Sequence, residues 1–407
     1  MSKDFSRRGL FRRAAIAAGA FSVGRIPGLS WLEREARADA AGETPAVFIF
    51  NMIGGYNALF GSADSFQGTG DFGVTATNIK QVGTTRLFVD KSTLGTLSAN
   101  TLNHMASIGV DHGITSHPTA RMSLLFDGNN KSRLISLSNA LGGTAAVRCV
   151  NIGNLMSVGT HTAQGGVSLQ QVRDLSTTIA VLGGVTSANA PARALASDGI
   201  AASQAMSADA IAKNPTSARS FAESYPAASA QLKETTVPFE YATMASAYGL
   251  TAGTNGSYAT DVRNTTMQIM GAELMIRAGA NVVIANQGGW DTHGDNNGSE
   301  VRNKIIGDGT IAALKVFTDR MMAETGKNVV TAIVGDFSRS LPGSNHQANL
   351  TATVIGKYVK AGTTGRVTAD VALPGGTPGI QGLWAYIAAA LKCPTQPFGA
   401  NPHGLVL

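Results

Sequence analysis

Along the chain, short unbroken apolar runs alternate with longer stretches in which apolar residues return every three or four positions. Residues 45–53 (PAVFIFNMI), 145–153 (AAVRCVNIG), 281–287 (NVVIANQ), 328–336 (NVVTAIVGD) and 349–359 (NLTATVIGKYV) are runs of this first kind. Their near-continuous apolar character predicts strands buried on both faces. Residues 109–115 (GVDHGIT) predict a further strand. Helical spacing marks residues 96–108, 119–128, 133–143, about 261–278, about 299–323 and 379–392. Strands alternating with amphipathic helices predict an α/β fold, with a sheet of mostly parallel strands covered by helices on both faces. Residues from about 186 to 250 become rich in Ala and Ser, which predicts a helical insertion outside that sheet. No internal repeat of fixed period interrupts the pattern.

Composition narrows the class. The chain has 407 residues, 43% hydrophobic and only 14% charged, which is ample for a large core. These values exclude disordered, collagen-like and disulfide-scaffold proteins. The net charge of +6 is concentrated at one end: residues 1–38 carry eight basic and three acidic side chains, leaving +1 for the rest. The basic balance is therefore no argument for nucleic acid or an anionic membrane as partner. Within that segment Arg7 and Arg8 precede Leu10, Phe11 and a short, weakly hydrophobic stretch over 14–23, and EARADAAG offers small-residue cleavage points after Ala38 or Ala40. The pattern resembles a twin-arginine export signal, so residues 1–40 are expected to be removed and 41–407 to form one domain in the periplasm or outside the cell. The apolar run is far shorter than the roughly 20 residues a transmembrane helix needs, and no later segment is better suited. Two cysteines, Cys149 and Cys393, are too few for a thiolate metal site; they form one disulfide or lie separately as apolar residues.

In a parallel α/β sheet, ligands bind beyond the carboxyl ends of the strands, so the residues following each predicted strand are the ones to collect. They are Asn51 and Asn57; Thr115, Ser116 and His117; Asp291 and His293; Asp336; and His346. Asp291 and His293, two apart in an extended segment, project to the same side and can converge on one cation. Carboxylate with neutral imidazole suits zinc, or manganese or calcium where oxygen ligands dominate. Asp336 and His346, beyond neighbouring strand ends, are candidates for the same centre. Plainer roles stand beside these: an Asx-turn or helix cap for Asp291, and an N-cap for Ser116 with Pro118 in the first turn. Arg339 suits either a surface ion pair or a clamp on an anion, as Arg121 does. His104 reads as a packing residue, and His112, His161 and His403 are assigned no role.

Five stretches together resemble the DUF1501 family of exported proteins: VFIFNMIGGYNALF, GVDHGITSHPTARMSLLFDG, AGANVVIANQGGWDTHGDN, VVTAIVGDFSR and GSNHQAN. The resemblance covers most of the chain after the leader, more loosely in the middle. It implies the alkaline-phosphatase and sulfatase-like superfamily fold and, by analogy, a divalent-metal site. Ser116 falls at the strand-to-helix junction where that superfamily places its nucleophile, with His117 beside it and Arg121 placed to bind an anionic group. Asp291, His293, Asp336, His346 and Asn57 are the expected metal positions. The chain departs from the family where Asn57 and Asn345 stand for aspartates and Asp336 for glutamate. Two lost carboxylates leave charge for one divalent ion better than for two. The expected activity is metal-dependent hydrolysis of sulfate or phosphate esters, with an extracellular polymer or glycan as partner. The alternative is a non-catalytic exported binding protein with a degenerate site.

Overall fold

In the computed structural model the described residues are 42–55, 78–143, 147–154, 158–175, 241–254, 264–294, 299–340, 343–365 and 372–407, with a few isolated positions between them. Residues 1–41, Asn57 and most of the Ala/Ser-rich stretch lie outside these residues. The strands are β1 (Thr44–Met52), β2 (Ile79–Gln81), β3 (Phe88–Asp90), β4 (Met105–Asp111), β5 (Cys149–Gly153), β6 (Leu169–Val172), β7 (Val282–Gln287), β8 (Lys327–Gly335), β9 (Asn349–Gly356) and β10 (Gly362–Thr363). The helices are α1 (Ala99–Asn103), α2 (His117–Leu125), α3 (Arg133–Leu141), α4 (Tyr241–Ala247), α5 (Thr265–Arg277), α6 (Ser299–Gly307), α7 (Thr310–Ala323) and α8 (Ile380–Ala390).

Eight strands form one sheet in the order β10-β4-β9-β8-β1-β7-β5-β6, and β2 pairs with β3 in a small separate ribbon. β1 lies near the centre, parallel to β7 and β8, with everything after Thr44 buried. That is why its sequence reads as an unbroken apolar run instead of an alternation. β9 alone runs against its neighbours β4 and β8. The link from β8 to β9 holds no helix among its described residues, in keeping with an antiparallel pair, since parallel neighbours are usually joined by a helical crossover. Helices cover both faces: Ile152 of β5 meets Gly271 of α5, while its neighbour Asn151 lines a small cavity with Leu125 of α2 and Leu134 of α3. α5 buries Met267, Ile269, Met270, Leu274, Met275 and Ile276.

Two details correct the sequence-based expectations, and a third chooses between two that stood open. Residues 105–108 belong to β4, not to a helix, and α1 ends at Asn103. A fully buried strand and a buried helix segment look alike by periodicity, and here both faces of Met105–Val110 are covered. The long helix expected over 299–323 breaks into α6 and α7 at Gly309, whose φ of +77° belongs to the left-handed region. Asp308, just outside the second piece, closes the turn at the break by accepting from the Thr310 N–H at 3.0 Å. Cys149 and Cys393 are both free, the first fully buried, so no disulfide links them. No helix among the described residues is long and apolar enough to cross a membrane.

Two polar arrays sit inside this apolar frame. The first is a ladder of carboxamides across β1, β7, β5 and β6: Asn51 donates to Asn286 (2.8 Å), Asn286 to Asn151 (2.6 Å) and Asn151 to Gln171 (2.9 Å). The second is a charged cluster between α5 and α7. Glu273 there is fully buried; its Oε1 accepts from Arg277 Nε at 2.8 Å and Arg320 Nε at 2.9 Å, and its Oε2 from the Tyr248 hydroxyl at 2.8 Å. Tyr248 immediately follows α4, so this bond fastens the end of the Ala/Ser-rich region to the helical layer. Burial, then the Glu273 charge, pushes the Tyr248 hydroxyl well above its ordinary pKa, which keeps it a donor.

Candidate metal centre

Parallel strands deliver their carboxyl ends to one edge, and here β1, β4, β7 and β8 do so. The antiparallel β9 begins at that edge, which brings the preceding His346 to the same place. The chain after β1 turns at Gly54 and Gly55, with φ of +114° and +75°. A Cβ on Gly54 would lie 2.5 Å from the Asp291 nitrogen, and one on Gly55 would strike Phe337. Only glycines let the β1 end lie against the segments following β7 and β8.

One ligand atom from each of His117, Asp291, His293 and His346 lies within 4.8 Å of the others. Asp291 Oδ1 is 3.0 Å from His293 Nε2, and its Oδ2 is 3.6 Å from His117 Nε2. His346 Nε2 faces His293 Nε2 at 3.1 Å. Proton positions follow from the partners. His346 Nδ1 lies 2.8 Å from the Thr115 carbonyl, which can only accept, so Nδ1 carries the hydrogen and Nε2 of the neutral ring presents a lone pair. His117 Nδ1 is 2.6 Å from Asp336 Oδ2, which fixes that ring the same way. Its Nε2 is buried and has no hydrogen-bond partner among the described residues. Phe337 packs against both rings, with centroids 4.6 Å from His117 and 4.2 Å from His346.

The residues expected from sequence divide into three groups. Asp291, His293 and His346 come together as proposed for ligands, and His117, expected beside the nucleophile, joins them. Asp336 does not belong to this group of four. It is buried beneath it, and its Oδ2 accepts from His117, from Arg121 Nε at 2.9 Å and from the Gly54 N–H at 3.2 Å. His117 and Arg121, four apart on α2, therefore grip one carboxylate oxygen. A carboxylate behind a ligating imidazole fixes its tautomer and raises its basicity. Asn57, the last metal candidate, lies outside the described residues.

Ser116 is the residue preceding α2, in extended conformation, exposed, and it makes no capping bond with its side chain. Its oxygen accepts from the Thr119 hydroxyl at 3.3 Å. Ser116 thus occupies the N-cap position considered for it, its carbonyl accepting from the Ala120 N–H at 2.8 Å, while its hydroxyl caps nothing. Its neighbours on either side are the Thr115 carbonyl, which holds His346, and His117.

Arg339 differs most from its expected place. It is fully buried, neither on the surface nor at the open side of the centre. Its guanidinium donates to the carbonyls of Gly54 (2.5 Å), Gly55 (3.2 Å) and Ser344 (2.7 Å), and to Asp291 Oδ1. The GDFSR stretch places Arg339 just after a strand but does not say which way its side chain points.

Electrostatics follow this layout. Burial raises the Asp291 carboxyl's pKa, but Arg339, His117 and His293 outweigh it and hold the group below its ordinary value. Burial lowers that of Arg339 against the opposing pull of Asp291 and Asp336. The two partners of this pair shift in the same direction because the arginine side chain is 0% exposed and the aspartate 48%. His346 is held below its ordinary value chiefly by burial, against the bond to Thr115 and with the neighbouring positive charges. Neutral rings and an ionised carboxylate are the forms a metal requires.

The donor set fits a divalent ion: three imidazole nitrogens and one carboxylate, two of the rings oriented by acceptors behind them, and one buried nitrogen left without a partner. No family model and no curated protein sequence matches the chain. Among solved structures, the PsFucS1 sulfatase from Pseudoalteromonas sp. aligns with a TM-score of 0.33 and 11% identity, over 90% of this chain and 72% of that one.

Proposed function

We propose that the protein is an exported, metal-dependent hydrolase of sulfate or phosphate esters. The observation that carries this reading is the pair of imidazole lone pairs, on His117 and His346, held by partners behind them in one cluster with Asp291 and His293. Three nitrogens and one oxygen favour zinc over the oxygen-seeking calcium and manganese. His117, Asp291, His293 and His346 would hold the ion, which when bound supplies Lewis acidity toward an ester oxygen. Ser116 is the nucleophile in this reading: its exposed hydroxyl sits just before α2, at the positive end of the helix dipole, which favours an anion. Asp336 keeps His117 in the ligating tautomer, and Arg121 adds positive charge on the same helix face. The five stretches that resemble DUF1501 proteins and the twin-arginine-like pattern at residues 7–23 support reading it as an exported member of that family, acting on an extracellular polymer or glycan.

One observation favours the alternative, an exported binding protein that retains the ion without turning over an ester. Among the described residues the Ser116 hydroxyl meets only another hydroxyl, with no basic partner to take its proton. Metal analysis and catalysis separate the two. Purified protein should carry zinc and release nitrophenol from 4-nitrophenyl sulfate or phosphate, and Ser116→Ala should keep the zinc and lose at least ~100-fold in rate. Zinc without turnover would leave the binding protein; no divalent ion at all would sink both.

A further inference from the structure

We infer that Arg339 takes the place of a second cation: its guanidinium fills an all-oxygen cradle beside the ion site, so the centre accepts one divalent ion per chain. The cradle is assembled from three separate segments. The turn after β1 contributes the Gly54 and Gly55 carbonyls, the segment after β7 contributes Asp291 Oδ1, and the β8–β9 link contributes the Ser344 carbonyl. The side chain is completely buried, and a planar fork of donors matches several diverging oxygens in a way the single ammonium of lysine does not.

Carbonyl and carboxylate oxygens are the ligands a hard ion such as calcium selects, whereas the adjoining imidazole-rich set suits zinc. The molecule therefore contains two cation sites of different chemistry that share one carboxylate. Asp291 shares Oδ1 between the guanidinium and His293 and turns Oδ2 toward His117, so one carboxylate serves both the fixed cation and the ion site. A fixed cation cannot be lost by dilution or chelation, and it repels a further ion from the shared carboxylate. Arg339 is thus a positioning residue: it holds Asp291 and sets the metal capacity without touching substrate. The capacity claim rests on the reading that the four clustered side chains hold zinc; the cradle claim does not.

The test is to load metal-free protein with excess zinc and calcium together and count bound ions by mass spectrometry. Wild type and Arg339→Lys should each hold one zinc and no calcium. Arg339→Ala should hold one zinc and one calcium, with a thermal midpoint that rises by about 3.5 °C at calcium ~100-fold above its dissociation constant. Two ions on the wild-type chain would overturn the inference. So would an Arg339→Ala protein that neither binds calcium nor gains stability from it, or one that stays unfolded with calcium present. Wild-type protein holding no zinc would defeat the metal reading above, while the calcium arm on Arg339→Ala would still decide the cradle.

Discussion

The Glu273 cluster and the Asp291 cluster use similar side chains for opposite ends. Around Glu273 every charge has its complement: two guanidiniums and a phenol address one buried carboxylate, and a further carboxylate, Glu324, takes the remaining reach of Arg277. Around Asp291 the count of donors against acceptors is incomplete. His346 meets His293 nitrogen to nitrogen, and His117 turns a nitrogen to no donor. Unsatisfied acceptors in partly buried surroundings cost stability, and a fold keeps them only where something else supplies the positive charge. Counting donors against acceptors therefore separates a structural ion network from a binding site, where counting charged residues does not.

Three experiments sharpen that contrast, in falling order of effect on stability. Glu273→Gln should cost about 3 kcal/mol in urea unfolding, because it leaves two guanidiniums facing a neutral amide, while ion content stays unchanged. A loss below ~1 kcal/mol would mean the cluster is not the lock described here. Acid attacks both clusters at once, so a histidine belonging to neither is needed to separate unfolding from ion loss. His403 serves: it is buried against Tyr386 and Thr364, and burial pulls its pKa down to about 4. In the window from roughly 6.5 to 4 the unfolded chain takes up this proton and the folded one does not, so stability falls as pH falls. His403→Gln should remove roughly 2 kcal/mol of the acid loss between pH 7 and pH 4.5, with no effect on zinc release; an unchanged pH profile would contradict it. Smallest in stability is His293→Ala, since that side chain is 58% exposed. The metal-free protein should change by less than about 0.5 kcal/mol, yet zinc affinity, read by competition with a chromophoric chelator, should fall at least ~10-fold.

Much of the frame was legible because burial on both faces leaves a mark in sequence. β1, β7 and β8 appear as apolar runs, and the strand-end rule collected His117, Asp291, His293 and His346, separated by up to 229 positions, from their places after or before strands. Three features were not legible, each for a physical reason. Strand direction leaves no periodic trace, so β9 shows itself as antiparallel only in three dimensions. The left-handed backbone at Gly309 looks in sequence like any tolerated helix glycine. The roles of Asp336 and Arg339 depend on which way a side chain turns after a strand ends, and that is set by contacts with Gly54, Gly55 and His117, distant in the chain.

The carboxamide ladder offers a spectroscopic consequence. Asn51, Asn286, Asn151 and Gln171 carry side-chain NH2 groups that should exchange slowly with solvent and resonate as a coupled set in amide NMR spectra. Asn51 stands three residues before Gly54, and Asn286 five before Asp291. A shift that begins at these two rungs and fades toward Gln171 as zinc is titrated would report how far a binding event at the sheet's edge is felt inside it, with no label on the site itself.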